Sequence, residues 1–290
     1  MTKILPEGML INTPLNKKYT ADSRGFASAM NDGAILEGRA LMRSADGNLT
    51  VEAGNRHFII PRNETALGME EGDVKDIAVL SRVGKCVSFM VVGMEGAEPI
   101  LSRRAAQRAA FGYITESLEA GTVIPVTITH LDSFGAFVDI GCGLTSLIGV
   151  ETTSVARIAH PSDRFRAGGR AFALVTDIDR KTGRVRLSHR ELLGTWEENA
   201  AMFRCGDTVE GIVRGVKDYG IFIELMPNLS GLAEYREGME TGQRVSVFIK
   251  SINPEKRKIK LSVIDVLPSD GRMPPIKYFI TSGRVENWSY

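Results

Sequence analysis

The feature that most constrains the fold of this chain is a strand-like pattern that occurs twice, at Phe134-Gly-Ala-Phe-Val-Asp-Ile-Gly-Cys-Gly143 and at Tyr219-Gly-Ile-Phe-Ile-Glu-Leu225. Each copy has an aromatic residue, a glycine, a second aromatic residue and then an alternating run. The glycine permits a bend before the strand, so that both aromatic residues of a copy can reach one surface. The two copies predict two similar β-domains.

The alternation predicts which side chains of these strands face solvent, because successive side chains of a strand point to opposite faces. In the first copy, Phe137 and Asp139 are predicted to face outward, between apolar residues that face a core. In the second copy, Phe222 and Glu224 are predicted to face outward. A phenylalanine on the same face as a carboxylate leaves apolar surface in water, and stacking against nucleic-acid bases is a good reason for that arrangement.

The composition limits the class of protein. A chain of 290 residues has room for two or three small domains. The formal net charge of +1 excludes a uniformly basic nucleic-acid binder, so any basic footprint is local. The cysteines at positions 86, 142 and 205 are odd in number and far apart, which fits a reducing compartment. No membrane span and no signal peptide are evident, and a cytoplasmic multidomain protein is predicted.

Three blocks of short strands follow one another, and each closes on a Leu-Ser element, at Leu101, Leu187 and Leu261. The spacing of roughly 75–85 residues has the size of a domain. Five short strands per block, without room for crossover helices, predict a mainly β protein of three tandem five-stranded OB-fold barrels joined by short helices. The predicted segments are a leader (1–32), a first β-domain (33–104), a linker helix (105–117), a second β-domain (118–193), a linker helix (194–203), a third β-domain (204–265) and a tail (266–290), interpreted as a hairpin added to the third domain.

Local signals predict the helices. A short helix is expected near 23–30 in the leader. Thr195 and Glu198 have the spacing of a capping box, which satisfies exposed amides at a helix start. The apolar face of that helix, which includes Trp196, is interpreted as packing rather than as a ligand site.

The second block resembles the RNA-binding domain of the ribosomal protein S1 family across residues 118–193. The resemblance rests on the Phe-Gly-Ala-Phe-Val-Asp-Ile-Gly run, the turn Asp177-Ile-Asp-Arg-Lys-Thr-Gly-Arg184 and the closing Val-Arg-Leu-Ser-His-Arg190. The third block is similar through Tyr-Gly-Ile-Phe, Lys250-Ser-Ile-Asn-Pro-Glu-Lys-Arg-Lys258 and Lys-Leu-Ser. The first block is a divergent relative.

The resemblance implies a single-stranded RNA surface in which an exposed aromatic pair lies near a turn and near basic residues of the last strand. Strand alternation independently predicts that the cations of the two closing strands point outward. The residues implied in the second domain are Phe134, Phe137, Asp179, Arg184 and Arg186, and those in the third are Tyr219, Phe222, Asn253, Lys258 and Lys260.

The chain departs from the family pattern at two places. The family's loop histidine after the third strand is missing, and Gly149 and Glu234 lie near that point. Because Glu234 adds a negative charge, the third domain is expected to bind RNA more weakly or differently. In the first domain Gly47 and Thr50 stand where the aromatic residues should be, which predicts a barrel used for docking onto protein.

The sequence offers no constellation for catalysis. It has no glycine-rich phosphate loop and no Cys-x-x-Cys pair, and its four histidines are isolated in sequence. We therefore expect no catalytic residue, metal, cofactor or small-molecule substrate. The leading hypothesis is a non-catalytic protein of the translation apparatus that binds single-stranded RNA and holds unpaired mRNA at the small ribosomal subunit. The alternatives are an RNA-binding regulator of transcription or RNA decay, and a protein-interaction scaffold.

Overall fold

The computed structural model describes residues 4–69, 79–268 and 275–290. The protein is mainly β, with three five-stranded units in sequence order. This confirms the predicted architecture of three tandem OB-type units. Within the described residues, no helix combines the length and apolar character needed to span a membrane.

Four α-helices lie in the leader and between the units. They are α1 (Pro14–Thr20), α2 (Ser23–Asn31), α3 (Arg103–Glu116) and α4 (Trp196–Ala200). The predicted leader helix corresponds to α2, whereas α1 was not predicted. The capping box of Thr195 and Glu198 is confirmed at the start of α4. Trp196 is buried in the core of the third unit, as its apolar face predicted.

Each unit is built from five strands. Unit 1 contains β1 (Leu36–Arg43), β2 (Leu49–Ala53), β3 (Arg56–Ile60), β4 (Cys86–Glu95) and β5 (Glu98–Ser102). Barrel 2 contains β6 (Val123–Asp132), β7 (Gly135–Gly141), β8 (Leu144–Gly149), β9 (Arg170–Asp179) and β10 (Arg184–Ser188). Barrel 3 contains β11 (Thr208–Lys217), β12 (Gly220–Met226), β13 (Leu229–Ala233), β14 (Arg244–Asn253) and β15 (Lys258–Val266).

The three units share one strand order. Barrels 2 and 3 are closed by a parallel pairing of their third and fifth strands, β8 with β10 and β13 with β15. Unit 1 has the order β3-β2-β1-β4-β5, which is the same order opened between the third and fifth strands. Among its described residues, no ladder joins β3 to β5. Unit 1 is therefore an OB-type sheet, and the other two units are complete barrels.

The leader is bound to unit 1 through the buried carboxylate of Glu37. This carboxylate accepts backbone N–H groups from Gly8, Leu10 and Ile11, at 2.8–3.0 Å. The Asn16 side chain bonds both the N–H and the carbonyl of Glu37. Burial raises the pKa of Glu37, and the three N–H groups oppose that effect. The leader is thus a packed part of the fold.

The described tail, residues 275–290, runs back across barrel 2, and we call it the C-terminal strap. Its residues form no hairpin, which differs from the prediction, and they make one isolated bridge between Thr122 and Arg284. Tyr278 enters a cluster on barrel 2 and lies 2.9 Å from Nε2 of the buried His189. The Tyr290 hydroxyl donates to the carbonyl of Asn228 in barrel 3. The strap therefore contacts both barrels.

Candidate nucleic-acid interface

Two exposed aromatic pairs occupy equivalent places on barrels 2 and 3. Phe134 and Phe137 lie edge to face with their ring centroids 5.7 Å apart, and Tyr219 and Phe222 do so at 6.1 Å. The exposed fractions of Phe134, Tyr219 and Phe222 are 51%, 70% and 37%. Phe137 is half-buried. Both predicted pairs therefore face solvent, at the turn between the first two strands of each barrel.

Strand register places a cation near the aromatic pair of barrel 2. Phe137 pairs with Leu147 across β7 and β8, and Leu147 pairs with Arg186 across β8 and β10. Neighbouring strands are about 4.8 Å apart, so the Cα atoms of Phe137 and Arg186 are separated by about 10 Å. Arg184 and Arg186 are exposed while Val185 and Leu187 between and beyond them are buried, as the alternation predicted.

Barrel 3 repeats this arrangement with lysine. Phe222 pairs with Leu232, and Leu232 pairs with Lys260. Lys258 and Lys260 are exposed on either side of the buried Ile259. Each barrel thus presents an aromatic pair, one leucine and then a cation along one row of its outer surface.

The two predicted turn residues have structural partners. The carboxylate of Asp179 accepts the hydroxyl of Thr182 at 2.7 Å and the N–H of Lys181 at 2.9 Å. These hydrogen bonds, with that of Thr182 first, lower the pKa of Asp179. The side chain of Asn253 accepts the N–H of Lys256 in the equivalent turn. Both residues shape the turns that precede the basic closing strands.

The predicted outward orientation of two carboxylates is wrong. Asp139 and Glu224 share a strand face with the exposed phenylalanines, but their exposed fractions are only 3% and 5%. Other parts of the chain cover them. The leader lies over Asp139 through Glu7, and a loop of barrel 2 lies over Glu224 through Arg164.

Glu224 joins barrels 2 and 3. Its Oε2 atom lies 2.5 Å from Nη2 of Arg164, in the loop between β8 and β9, and 2.7 Å from Nε of Arg214. Arg214 also lies 3.3 Å from Oδ2 of Asp163. Burial lowers the pKa of Arg164, and the charge of Glu224 opposes that effect. One buried carboxylate therefore holds two guanidinium groups at the interface.

Asp139 joins the leader to barrel 2. It accepts the N–H of Glu7 at 2.8 Å and those of Gly141 and Gly143 at 2.8 and 3.0 Å. The Glu7 carboxylate in turn pairs with Nε of Arg103 at 2.9 Å. Burial, followed by the charge of Glu7, raises the pKa of Asp139 to about 7. The leader, α3 and barrel 2 therefore meet at two neighbouring carboxylates.

The raised pKa of Asp139 predicts a pH effect on folding. Between about 3.8 and 7 the folded state holds a proton that the unfolded state releases, so this group makes the free energy of unfolding fall as pH rises. His189 has the opposite effect, because burial lowers its pKa from 6.5 to about 4. We expect Asp139→Asn to remove only the first effect, so that stability rises more steeply between pH 4 and 6.5 than in the parent.

Urea denaturation at several pH values measures this difference. Asp177→Asn, at an exposed aspartate of barrel 2, is the control and should follow the parent curve. Parallel curves for the Asp139→Asn variant and the parent would contradict the assignment.

Unit 1 lacks the aromatic pair. Strand register places Thr50 at the position of Phe137 and Phe222, because it likewise follows the bulge between the first two strands. The surrounding row is apolar. Met42, Ile59 and Ile100 have exposed fractions of 56%, 65% and 43%, and Ile100 takes the position of Arg186. Unit 1 thus presents neither rings nor cations along this row.

Sequence reasoning missed two contributors to the surface of barrel 2. His130 of β6 is exposed and stacks on Phe137, with the ring centroids 6.0 Å apart and the planes at 30°. Leu147 links the aromatic pair to Arg186. Only the antiparallel register of β6, β7 and β8 reveals these neighbours, because they are distant from Phe137 in sequence.

Comparison with known proteins shows which proteins this chain is similar to. The S1 RNA binding domain family matches residues 117–190. The Small ribosomal subunit protein bS1 homolog of Bacillus subtilis is 31% identical over 235 residues, which cover 75% of this chain and 59% of that protein. The bS1 protein of Staphylococcus aureus is 28% identical over 257 residues, covering 83% and 64%. The chain spans less than two thirds of the length of these relatives.

A solved multidomain protein with nucleic acid binding domains, from Streptococcus pneumoniae, is 14% identical and covers 80% of this chain and 73% of that chain. Its TM-score is 0.28, which is too low to bear on the fold.

The residues of barrel 2 thus match the S1 RNA binding domain family, and the other two units repeat the strand order of that barrel in tandem. Over three quarters or more of its length, the chain is similar to bacterial small ribosomal subunit protein bS1.

Proposed function

We propose that this chain is a non-catalytic, cytoplasmic protein of the translation apparatus that binds single-stranded RNA and holds unpaired mRNA at the small ribosomal subunit. The observation that carries the proposal is the pair of exposed edge-to-face aromatic groups, each with a cation on the same surface row. Exposed rings provide stacking surfaces for bases, and cations attract phosphates. The similarity to bS1 proteins supports the ribosomal part of the proposal.

The RNA surface we propose combines the ten predicted residues in three roles. The four rings stack on bases, and the four cations of β10 and β15 attract the phosphate backbone. Asp179 and Asn253 shape the turns that present those cations.

Phe134→Ala combined with Phe137→Ala tests the proposal. We expect affinity for an unstructured oligouridylate to fall about 10- to 100-fold, since each base stacked on a ring contributes about 1–3 kcal/mol and the two rings lie together. Fluorescence anisotropy at fixed salt measures the affinity. Leu41→Ala combined with Met42→Ala, on the equivalent part of unit 1, is the control and should bind as the parent does. Parent-like binding by the phenylalanine variant would contradict the proposal.

A second function, protein docking, is favoured for unit 1 by its exposed apolar row of Met42, Ile59 and Ile100. Crosslinking to RNA and to ribosomal proteins, mapped by unit, separates the two functions. We expect RNA crosslinks on barrels 2 and 3 and protein crosslinks on unit 1. RNA crosslinks concentrated on unit 1 would contradict this division.

A further inference from the structure

His130 is the residue that most clearly distinguishes the surface of barrel 2 from that of barrel 3. It lies directly opposite Phe137 in the pairing of β6 with β7. We propose that His130 contacts RNA and completes a three-ring stacking face with Phe134 and Phe137, whereas barrel 3 has a glycine, Gly215, at the equivalent position. This inference rests on the proposed function and assigns barrel 2 as the stronger of the two RNA-binding barrels.

Local backbone geometry sets the position of the His130 ring. The register of β6 and β7 shifts between Ile128 and His130, leaving Thr129 in a bulge. The hydroxyl of Thr129 donates to the carbonyl of Phe137 at 3.1 Å and fixes that bulge. His130 then follows with its side chain on the same outer face as Phe137. The planes of the His130 and Phe137 rings lie 30° apart, while Phe134 stands at 86° to Phe137.

The chemistry of His130 suits an unpaired base. Its side chain is exposed, and neither ring nitrogen has a hydrogen-bond partner among the residues that the structure describes. A neutral imidazole offers one donor and one acceptor. These nitrogens are therefore available to a base edge or to a phosphate while the face of the ring stacks. The predicted ligand is an unpaired nucleobase in a single-stranded segment.

Barrel 3 lacks this ring but has space for it. Gly215 of β11 stands opposite Phe222, after the equivalent register shift, and so takes the position of His130. A Cβ atom built on Gly215 would meet only Cδ2 of Phe222, at 4.0 Å, and the backbone there is compatible with any L-residue. The two barrels therefore differ by one ring at a position where either residue fits.

Ion pairing does not distinguish the two surfaces. In barrel 2, Nε of Arg186 lies 3.8 Å from Oδ2 of Asp177. In barrel 3, Nζ of Lys250 lies 2.9 Å from Oε1 of Glu234, just after β13. Each surface thus carries an exposed ion pair, and the ring at position 130 is the difference on which the assignment rests.

The first experiment replaces the ring within barrel 2. His130→Leu keeps an apolar side chain on Phe137 but removes the π-face, and we expect oligouridylate affinity to fall about 5- to 20-fold. His130→Phe keeps the π-face, and its affinity should stay within about 2-fold of the parent's. Because position 130 is exposed, the thermal midpoints of both variants should match that of the parent. Parent-like affinity for His130→Leu would overturn the inference. Equal losses in both variants would overturn the stacking role and assign the contact to the ring nitrogens.

The second experiment transfers the ring to barrel 3. In a chain carrying Phe134→Ala and Phe137→Ala, binding depends on barrel 3. Adding Gly215→His should then raise affinity about 3- to 10-fold, which is part of the affinity that one base stacked on a ring contributes. An unchanged affinity would contradict the equivalence of the two positions.

These variants separate the inference from the proposed function. If the variant with both phenylalanines replaced binds RNA as the parent does, the RNA-binding function itself is wrong. If that variant loses affinity while His130→Leu keeps it, RNA binding stands and only the role of His130 is wrong.

Discussion

Replacing Glu224 by alanine should lower the free energy of unfolding by about 3–5 kcal/mol, the cost of removing one partner from a buried ion pair. The variant leaves Arg164 and Arg214 close together at the interface, with side chains only 4% and 7% exposed. The remaining carboxylate is that of Asp163, whose Oδ2 lies 3.3 Å from Nη1 of Arg214. Two desolvated guanidinium groups then share one partially exposed carboxylate, which favours separation of barrels 2 and 3.

Urea denaturation followed by tryptophan fluorescence measures this effect, because Trp196 lies in the core of barrel 3. Loss of the interface should also split the unfolding curve, since the barrels would no longer unfold together. The control is Glu234→Ala, which removes an exposed carboxylate paired with Lys250 and should leave the midpoint close to the parent's. Equal midpoints for the parent and the Glu224→Ala variant would show that the interface is held by its other contacts.

Replacing Arg184, Arg186, Lys258 and Lys260 together by glutamine should cause the largest loss of RNA affinity. A cation that neutralises a phosphate of a single strand contributes about 0.7 to the slope of log affinity against log salt. Four such contacts predict a slope smaller by about 3, and an affinity at 0.1 M salt that is lower by up to about 10²–10³-fold. The measurement is a series of oligouridylate titrations at increasing salt.

A control with the same change in charge is available on unit 1 and in the leader. Lys17, Lys18, Arg24 and Lys85 are all exposed, and replacing them by glutamine also removes four positive charges. This second variant should keep the parent's salt slope. Similar losses in both variants would attribute binding to overall charge, and the basic closing strands would then not be a specific part of the RNA surface.

Alternation along single strands predicted the sheet architecture and the exposed rings, because both depend on local backbone geometry. It failed for the exposure of Asp139 and Glu224. Both side chains lie on the predicted face of their strand, but segments that are distant in sequence pack on that face and bury them. The N–H of Glu7 is 132 residues from Asp139, and Arg164 is 60 residues from Glu224. The alternation of side chains within a strand does not predict which distant segments pack on its outer face. The RNA-binding roles of the exposed residues stay predictions.

Two further differences have the same origin. The Ser282-Gly283 signal in the tail indicated a turn, and Gly283 does adopt a left-handed conformation at φ +88°. The segment pairs with Thr122 of barrel 2 instead of with itself, because that barrel offers an apolar cluster to cover. The role of His130 likewise depends on a cross-strand neighbour, which becomes apparent only once the register of β6 and β7 is known.

The C-terminal strap implies an order of events during protein synthesis. The apolar cluster of Val123, Leu174 and Leu192 belongs to barrel 2, but Tyr278 and Val285, which cover it, are encoded after the whole of barrel 3. At the usual elongation rate of about 5–20 residues per second, that cluster remains open to solvent for roughly 5–20 seconds after barrel 2 has been made. A nascent chain therefore displays a temporary apolar surface, to which chaperones can bind until Tyr278 and Val285 have been made.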